Sequence, residues 1–339
     1  MDIAKPARPP CGTDIKPLTC IEICAGAGGQ ALGLEAAGFQ GLAHVELDHH
    51  ACATLRQNRP HWHVIEGDVR NFSATEFRGI DLLAGGVPCP PFSKAGKQLG
   101  QDDERDLFPE ALRLVEECQP KAVMLENVRG FLDAVFTDYR MRLKEKLNGL
   151  GYDASWHLLN ASDFGVPQLR PRVVIVAIRR DLSRFFTPPM PLTDGKMPPT
   201  VGETLIDLMA ANGWEQAIPW ASRANEIAPT LVGGSKKHGG ADLGPTRARS
   251  AWASLGVDGR SLAESAPMPG FSGIPKLTIR MTARIQGFPD SWQFAGGKTS
   301  AYRQIGNAFP PPVATAVARR LAEAISPVTS AKQRLLPAN

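Results

Sequence analysis

The sequence predicts an α/β protein, a doubly wound, mostly parallel sheet with a smaller irregular module late in the chain. Three observations predict it. Between Leu18 and Arg180, short apolar runs alternate with helix-like segments, the pattern of parallel strands joined by crossover helices. A glycine-rich turn, Gly26-Ala27-Gly28-Gly29, follows the first apolar run and opens the first helix-like segment, as in sheets that bind ligands at their strand ends. The alternation then stops, and residues 186–300 are rich in proline and glycine with few long periodic segments.

Residues 1–17 carry four prolines and read as a flexible lead-in. Residues 18–185 form the first domain, with strands expected at 19–23, 42–46, 80–84, 122–125 and 173–178. Helices are expected at 31–37, 51–58, 109–118 and 139–150. In the third of these, Leu112 and Val115 recur at helical spacing beside Leu114, while Arg113, Glu116 and Glu117 are polar. Residues 186–300 read as a separate module. Its stretch from Gly233 to Arg260 holds five Lys/Arg against two acids, and seven glycines. Residues 301–326 return to the first domain through a helix over 311–325, with Val313, Val317 and Leu321 on one face. Residues 327–339 read as a flexible tail.

Composition narrows the function classes. Apolar residues make up 43% of 339, enough for a full core. The net charge of +4 excludes a global polycation, so any anion-binding surface is local. Six cysteines without a CxxC pair suit a reduced compartment rather than a disulfide scaffold. Neither a membrane-length apolar run nor a signal-peptide core is found, so a soluble cytoplasmic protein is expected, with no membrane and no metal.

Four features carry chemistry. In Gly85-Gly86-Val87-Pro88-Cys89-Pro90-Pro91-Phe92-Ser93, a cysteine sits between prolines just past a strand. Proline ends the strand and stiffens the loop, so the thiol is presented at the sheet edge. The turn after the first strand fits Gly26-x-Gly28-x-x-Ala31, with Glu46 about 20 residues on. Taken alone, that spacing suits NAD, FAD or S-adenosylmethionine equally. Glu46 and Asp68 at successive strand ends suit a ribose diol and an adenine amino group, and would repel a pyrophosphate. Glu126 ends a fourth apolar run, and Arg170 and Arg172 lie two apart before the last strand. Singly, each is an ordinary surface charge; together with Cys89 they converge on one sheet edge.

These residues resemble the C5-cytosine DNA methyltransferase family over 19–180 and 277–325. Pro88-Cys89 is similar to the family's catalytic motif, Glu126-Asn127-Val128 to its ENV motif, and Gln168-x-Arg170-x-Arg172 to its QxRxR motif. Arg280-x-x-x-Arg284-Ile285-Gln286-Gly287-Phe288-Pro289 and Arg303-Gln304-Ile305-Gly306-Asn307-Ala308 are similar to its last two motifs, in the family's order. Two departures stand out: Cys24 replaces the usual phenylalanine, and Pro90 the usual glutamine after the nucleophile. The resemblance implies an S-adenosylmethionine-dependent methyltransferase fold with a smaller target-recognition domain. It implies Cys89, Glu126, Arg170 and Arg172 as catalytic residues. Glu22, Cys24, Gly26, Gly28, Glu46, Leu47, Asp68, Val69, Pro88, Leu107 and Asn307 would bind the cofactor. Ser93, Lys236, Lys237, Arg247, Arg249 and Arg280 would contact double-stranded DNA carrying a flipped-out cytosine. The implied protein is a monomeric, nucleoid-associated restriction–modification methylase with a cognate endonuclease.

Three other readings compete. Transfer RNA methylation by a related branch would place Cys-Phe-Thr after the ENV motif, where Arg129-Gly130-Phe131 stands. A non-catalytic DNA-binding relative need not keep Cys89, Glu126 and Arg172. A dinucleotide oxidoreductase would account for the glycine turn and none of the later motifs.

Overall fold

The structure, a computed structural model, describes residues 16–88, 106–191, 197–233 and 240–326. The first domain runs β1 (Leu18–Ile23), α1 (Gly29–Ala36), β2 (Phe39–Glu46), α2 (His49–Asn58), β3 (Val64–Glu66), β4 (Leu82–Gly85), α3 (Phe108–Cys118), β5 (Ala122–Val128), α4 (Thr137–Gly149), β6 (Tyr152–Asn160), β7 (Pro171–Arg179) and α5 (Arg180–Ser183). The strands form one seven-stranded sheet in the order β3-β2-β1-β4-β5-β7-β6. Strands β1 to β5 pair in parallel; β7 is antiparallel to both β5 and β6. The order reverses between β1 and β4, so their carboxyl ends open the crevice where such sheets hold ligands.

Each face of the sheet has its own core. On one, Ile21, Ile23, Val45, Leu83 and Val123 pack against Phe108 and Leu114 of α3 and Leu143 of α4. On the other, Cys20, Leu82, Met124 and Val176 pack under Leu34 and the last helix, α11 (Pro311–Ile325), whose Val313, Val317 and Leu321 are buried as their spacing predicts. Helices α1 and α11 touch almost backbone to backbone. A Cβ on Gly33 would lie 2.4 Å from that of Ala314.

The second module holds short helices joined by coil: α6 (Val201–Met209), α7 (Ala217–Arg223), α8 (Thr246–Ser254), α9 (Ile279–Ile285) and α10 (Lys298–Asn307). They surround a third core containing Trp220, Trp252, Trp292, Leu231 and Tyr302. The expected division at residue 300 falls inside α10. Its Tyr302 and Ile305 belong to this third core, and the chain rejoins the sheet's core at Phe309.

Candidate active site

The carboxyl ends of β1, β2, β4 and β5 surround a cleft of about 430 Å³, lined by Glu22, Cys24, Gly26, Glu46, Asp48, Gly86, Glu126, Arg303, Gln304 and Asn307, among others. The glycine turn forms its floor. Gly26 and Gly28 have φ of 54° and 87°, a region that glycine enters without strain. Gly29 is needed for a close approach, since a Cβ there would lie 2.3 Å from the carbonyl oxygen of Phe309. Cys24 adopts φ of 51° without being glycine, a local strain at the cleft wall.

Two acids of the cleft are held by the fold. Glu46 accepts from the backbone N–H groups of Gly26 and Asp48, each at 2.7 Å, and burial pushes its carboxyl up against these bonds. Glu22 pairs with His44 Nδ1 at 3.1 Å, its Cα neighbour on β2, and burial raises its pKa as well. Trp62 stacks on His44, with ring centroids 4.4 Å apart. The second module reaches the same turn: Trp292 Nε1 donates to the Ala27 carbonyl at 3.0 Å.

The second wall comes from β4, β5 and β7. Glu126 is 8% exposed at the end of β5. Arg172 lies at the antiparallel start of β7, opposite Val128, and its Nε meets Glu126 Oε1 at 2.7 Å. Burial pushes the Glu126 carboxyl above its usual range, while Arg172 and Arg170 pull it down. A Cβ on Gly86 would lie 3.6 Å from Glu126 Oε2, so the segment leading to Cys89 crosses directly over this carboxyl. Asn127 Nδ2 donates to the Val87 carbonyl at 2.9 Å and anchors that segment. Pro88 is exposed; Cys89 and Ser93 lie outside the described residues. The described cysteines are poor thiolates: burial pushes Cys24, Cys52 and Cys118 to about 12 and raises Cys20 too.

Arg170 corrects an expectation. It is fully buried, and its guanidinium is taken up by backbone carbonyls at the joint between the two modules. Nη1 donates to Leu231 O at 2.7 Å, and Nη2 to Gly306 O at 2.6 Å and Ala308 O at 3.1 Å. The last two carbonyls close the end of α10, where proline at position 310 has no N–H to offer Gly306. Arg170 therefore caps a helix from across the chain, where a cation also suits the helix dipole. Gln168 works beside it, accepting from Leu231 N at 2.9 Å and donating to Gln286 at 2.8 Å.

The other expected residues divide. Glu22, Cys24, Gly26, Glu46 and Asn307 line the cleft; Leu47, Asp68, Val69, Leu107 and Gly28 do not line it. Leu47 is exposed and Val69 is buried in the sheet core, which Leu107 packs against. The Asp68 carboxylate is engaged by Arg70 at 2.6 Å, which holds its pKa down. Gly28 sits beneath Leu55 and Trp292, where a Cβ would clash. Arg247 is exposed on α8 and Arg249 half-buried. Arg280 corrects a second expectation, since its Nη1 turns inward to the Trp292 carbonyl at 3.0 Å and steadies the module's own turn. Lys236 and Lys237 lie outside the described residues. Sequence reasoning missed Arg303, Gln304 and Asp48 as lining residues; the first two stood inside the quoted Arg303-Gln304-Ile305-Gly306-Asn307 segment, which was the available signal. Among the described residues, no group of three His, Cys, Asp or Glu side chains could hold a metal ion. No described helix is long and apolar enough to cross a membrane.

Comparisons with known proteins bear on the family and the fold. Residues 18–323 match the family model for C-5 cytosine-specific DNA methylase. The chain is 59% identical over 315 residues to type II methyltransferase M.NaeI of Lentzea aerocolonigenes, covering 91% of this chain and 76% of that protein. It is 56% identical to type II methyltransferase M.NgoMIV of Neisseria gonorrhoeae, covering 91% and 98%. Among solved structures, an Escherichia coli prophage protein described as a DNA modification methyltransferase shares the fold at TM-score 0.63 and 24% identity, covering 91% of this chain and 99% of that one. DNMT2 of Spodoptera frugiperda shares it at TM-score 0.63 and 16% identity, covering 90% and 99%.

Proposed function

The chain belongs to the C-5 cytosine-specific DNA methylase family, and from that membership we propose how its residues divide the reaction. It is a DNA (cytosine-5-)-methyltransferase of the type II restriction–modification kind, and the family implies S-adenosylmethionine as methyl donor. The cleft suits that donor. Glu46 presents a half-buried carboxylate at the end of β2 for a ribose diol, and the glycine turn lets a ligand approach the backbone. Asn307 closes the cleft from α10. Bound there, the donor supplies an electrophilic methyl carried on a sulfonium.

Cytosine C5 is too weak a nucleophile to take that methyl unaided. In the proposed mechanism the Cys89 thiolate adds to C6 of a flipped-out cytosine. Glu126, protonated, gives its proton to N3 as the S–C6 bond forms, so the electron pair collects at C5. Arg172 holds the Glu126 carboxyl and the base's O2. After C5 has gained the methyl, its proton leaves to a base, the S–C6 bond breaks and N3 returns its proton to Glu126, which restores the aromatic ring, the thiolate and the carboxyl. A carboxyl can donate near neutral pH only if its pKa is raised, and burial of Glu126 acts in that direction. The observation that carries the reading is this raised, Arg172-paired carboxyl lying under the segment that leads to Cys89.

Lys236, Lys237, Arg247 and Arg249 are the proposed DNA contacts, and the enzyme is proposed to act as a monomer alongside a cognate endonuclease. A host lacking cytosine methylation, expressing this chain, tests the reading through base-resolution mapping of its genome. 5-Methylcytosine within one short sequence is expected; a genome without it refutes the reading. Modified transfer RNA with unmodified DNA would favour the RNA reading instead.

A further inference from the structure

Resting on that reading, we infer that Arg303 binds the carboxylate of the donor's methionine moiety. The acids lining the cleft are each engaged within the fold, whereas the cation lining it is not. Glu22 pairs with His44, Glu126 with Arg172, and Glu46 with two backbone N–H groups. Asp48 caps α2, accepting from the N–H groups of His50 and Ala51. Arg303 lines the same cleft, half-buried, and its guanidinium has no hydrogen-bond acceptor or ion-pair partner among the described residues.

Its backbone is fixed in place. A Cβ on Gly233 would lie 2.7 Å from Arg303 O and 2.6 Å from Asn307 Oδ1, so this part of α10 is packed tightly against Gly233. Gln304 is committed elsewhere, bonded to Thr54 at 2.6 Å and to Ala295 O at 2.9 Å. That leaves Arg303, on α10, to meet a ligand in the cleft.

The donor's chemistry supplies the missing partner. Its ribose hydroxyls, adenine amino group, ammonium and sulfonium all suit acids or backbone groups. Only the carboxylate is anionic, and it matches a guanidinium fork in shape and charge. The acids of β1, β2 and β5 and the cation of α10 thus divide the ligand by polarity.

The test uses calorimetric binding of S-adenosylhomocysteine and of its decarboxylated analogue, 5′-deoxy-5′-(3-aminopropylthio)adenosine, to the full-length protein. The wild type is expected to bind the carboxylated ligand at least about tenfold more tightly, the scale of a charge-assisted hydrogen bond. Arg303→Gln should weaken S-adenosylhomocysteine by a similar factor and leave the analogue's affinity within about threefold of wild type, so that the preference disappears. Arg303→Lys should keep part of it. A wild type that binds both ligands equally, or an Arg303→Gln variant that keeps the full preference, would overturn the assignment alone. So would an effect of Arg303→Gln confined to duplex DNA affinity, which would make Arg303 a phosphate contact. A wild type that binds neither ligand would overturn the donor reading itself.

Discussion

Replacing Arg170 separates a catalytic arginine from one that holds the molecule together. Arg170→Met keeps much of the side-chain volume and removes every donor. Leu231 O and Gly306 O then lose the bonds at 2.7 and 2.6 Å, while Ala308 O keeps Gln286 Nε2 at 2.5 Å. Two buried carbonyls left unpaired cost about 1–3 kcal/mol each, or roughly 2–6 kcal/mol together. Relief from burying a charge offsets part of that, so about 3 kcal/mol is expected. At roughly 2 °C per kcal/mol for a chain of this length, the melting temperature should fall by roughly 6 °C. Thermal unfolding followed by circular dichroism reads this directly, with Arg170→Lys as a companion that keeps the charge and one donor centre. Lys should recover only part of the loss, because a single ammonium does not reach three carbonyls arranged around a fork. Affinity for S-adenosylhomocysteine should fall in parallel, since Asn307 sits between the two carbonyls that Nη2 holds. A variant that melts within about 2 °C of the wild type, yet has lost methyl transfer, would refute the cap and return Arg170 to the chemistry.

The other predictions concern the reaction and the DNA. Cys89→Ser should abolish methyl transfer and leave duplex binding intact, while wild type should form a stable adduct with DNA bearing 5-fluorocytosine, visible by denaturing electrophoresis; active enzyme without that adduct would exclude addition at C6. Turnover should fall as pH rises through the raised pKa of Glu126, and Glu126→Gln, which always offers an N–H, should be slower but lack that limb; an unchanged pH profile would remove Glu126 as the proton donor. The same shift has a stability consequence: with its folded pKa raised, Glu126 takes up a proton on folding, so its contribution is present at acidic pH and lost as pH rises through the folded value. The melting temperature of Glu126→Gln should therefore gain on wild type with rising pH. Double substitution of Lys236 and Lys237 by Ala should lower DNA affinity and flatten its salt dependence by about two units of slope, and an unaltered slope would move the phosphate contacts elsewhere.

Much of the first domain was legible because its signals are local. Apolar runs bounded by glycine and proline mark β1, β2, β4, β5 and β7; the carboxyl ends of the first four surround the cleft, and the antiparallel β7 brings its start, with Arg172, to Glu126. Strand β6 escaped because it lies at the sheet edge. Its Asp153, Ser155 and His157 break the apolar run, and only Tyr152, Ala154 and Leu159 are buried. The helices of the second module escaped because they are short and packed around single tryptophans, leaving little periodicity to read. Arg170 and Arg172 share a motif and differ in fate. One meets a side chain, Glu126, whose position the strand pattern reveals; the other meets backbone carbonyls, which carry no mark in the residue types. The Glu22–His44 pair was hidden for a related reason, since it depends on the register of β1 against β2.

The order in which the chain is made gives the α1–α11 contact a further meaning. Every group that closes the cleft opposite the glycine turn, from Arg303 to Phe309, is synthesised after the strands, the turn and the acids are complete. A polypeptide still short of α10 has half a pocket, and its Arg170 has found one of its three carbonyl acceptors. Trimming the chain back to residue 300 should therefore silence the enzyme in a single step rather than by degrees.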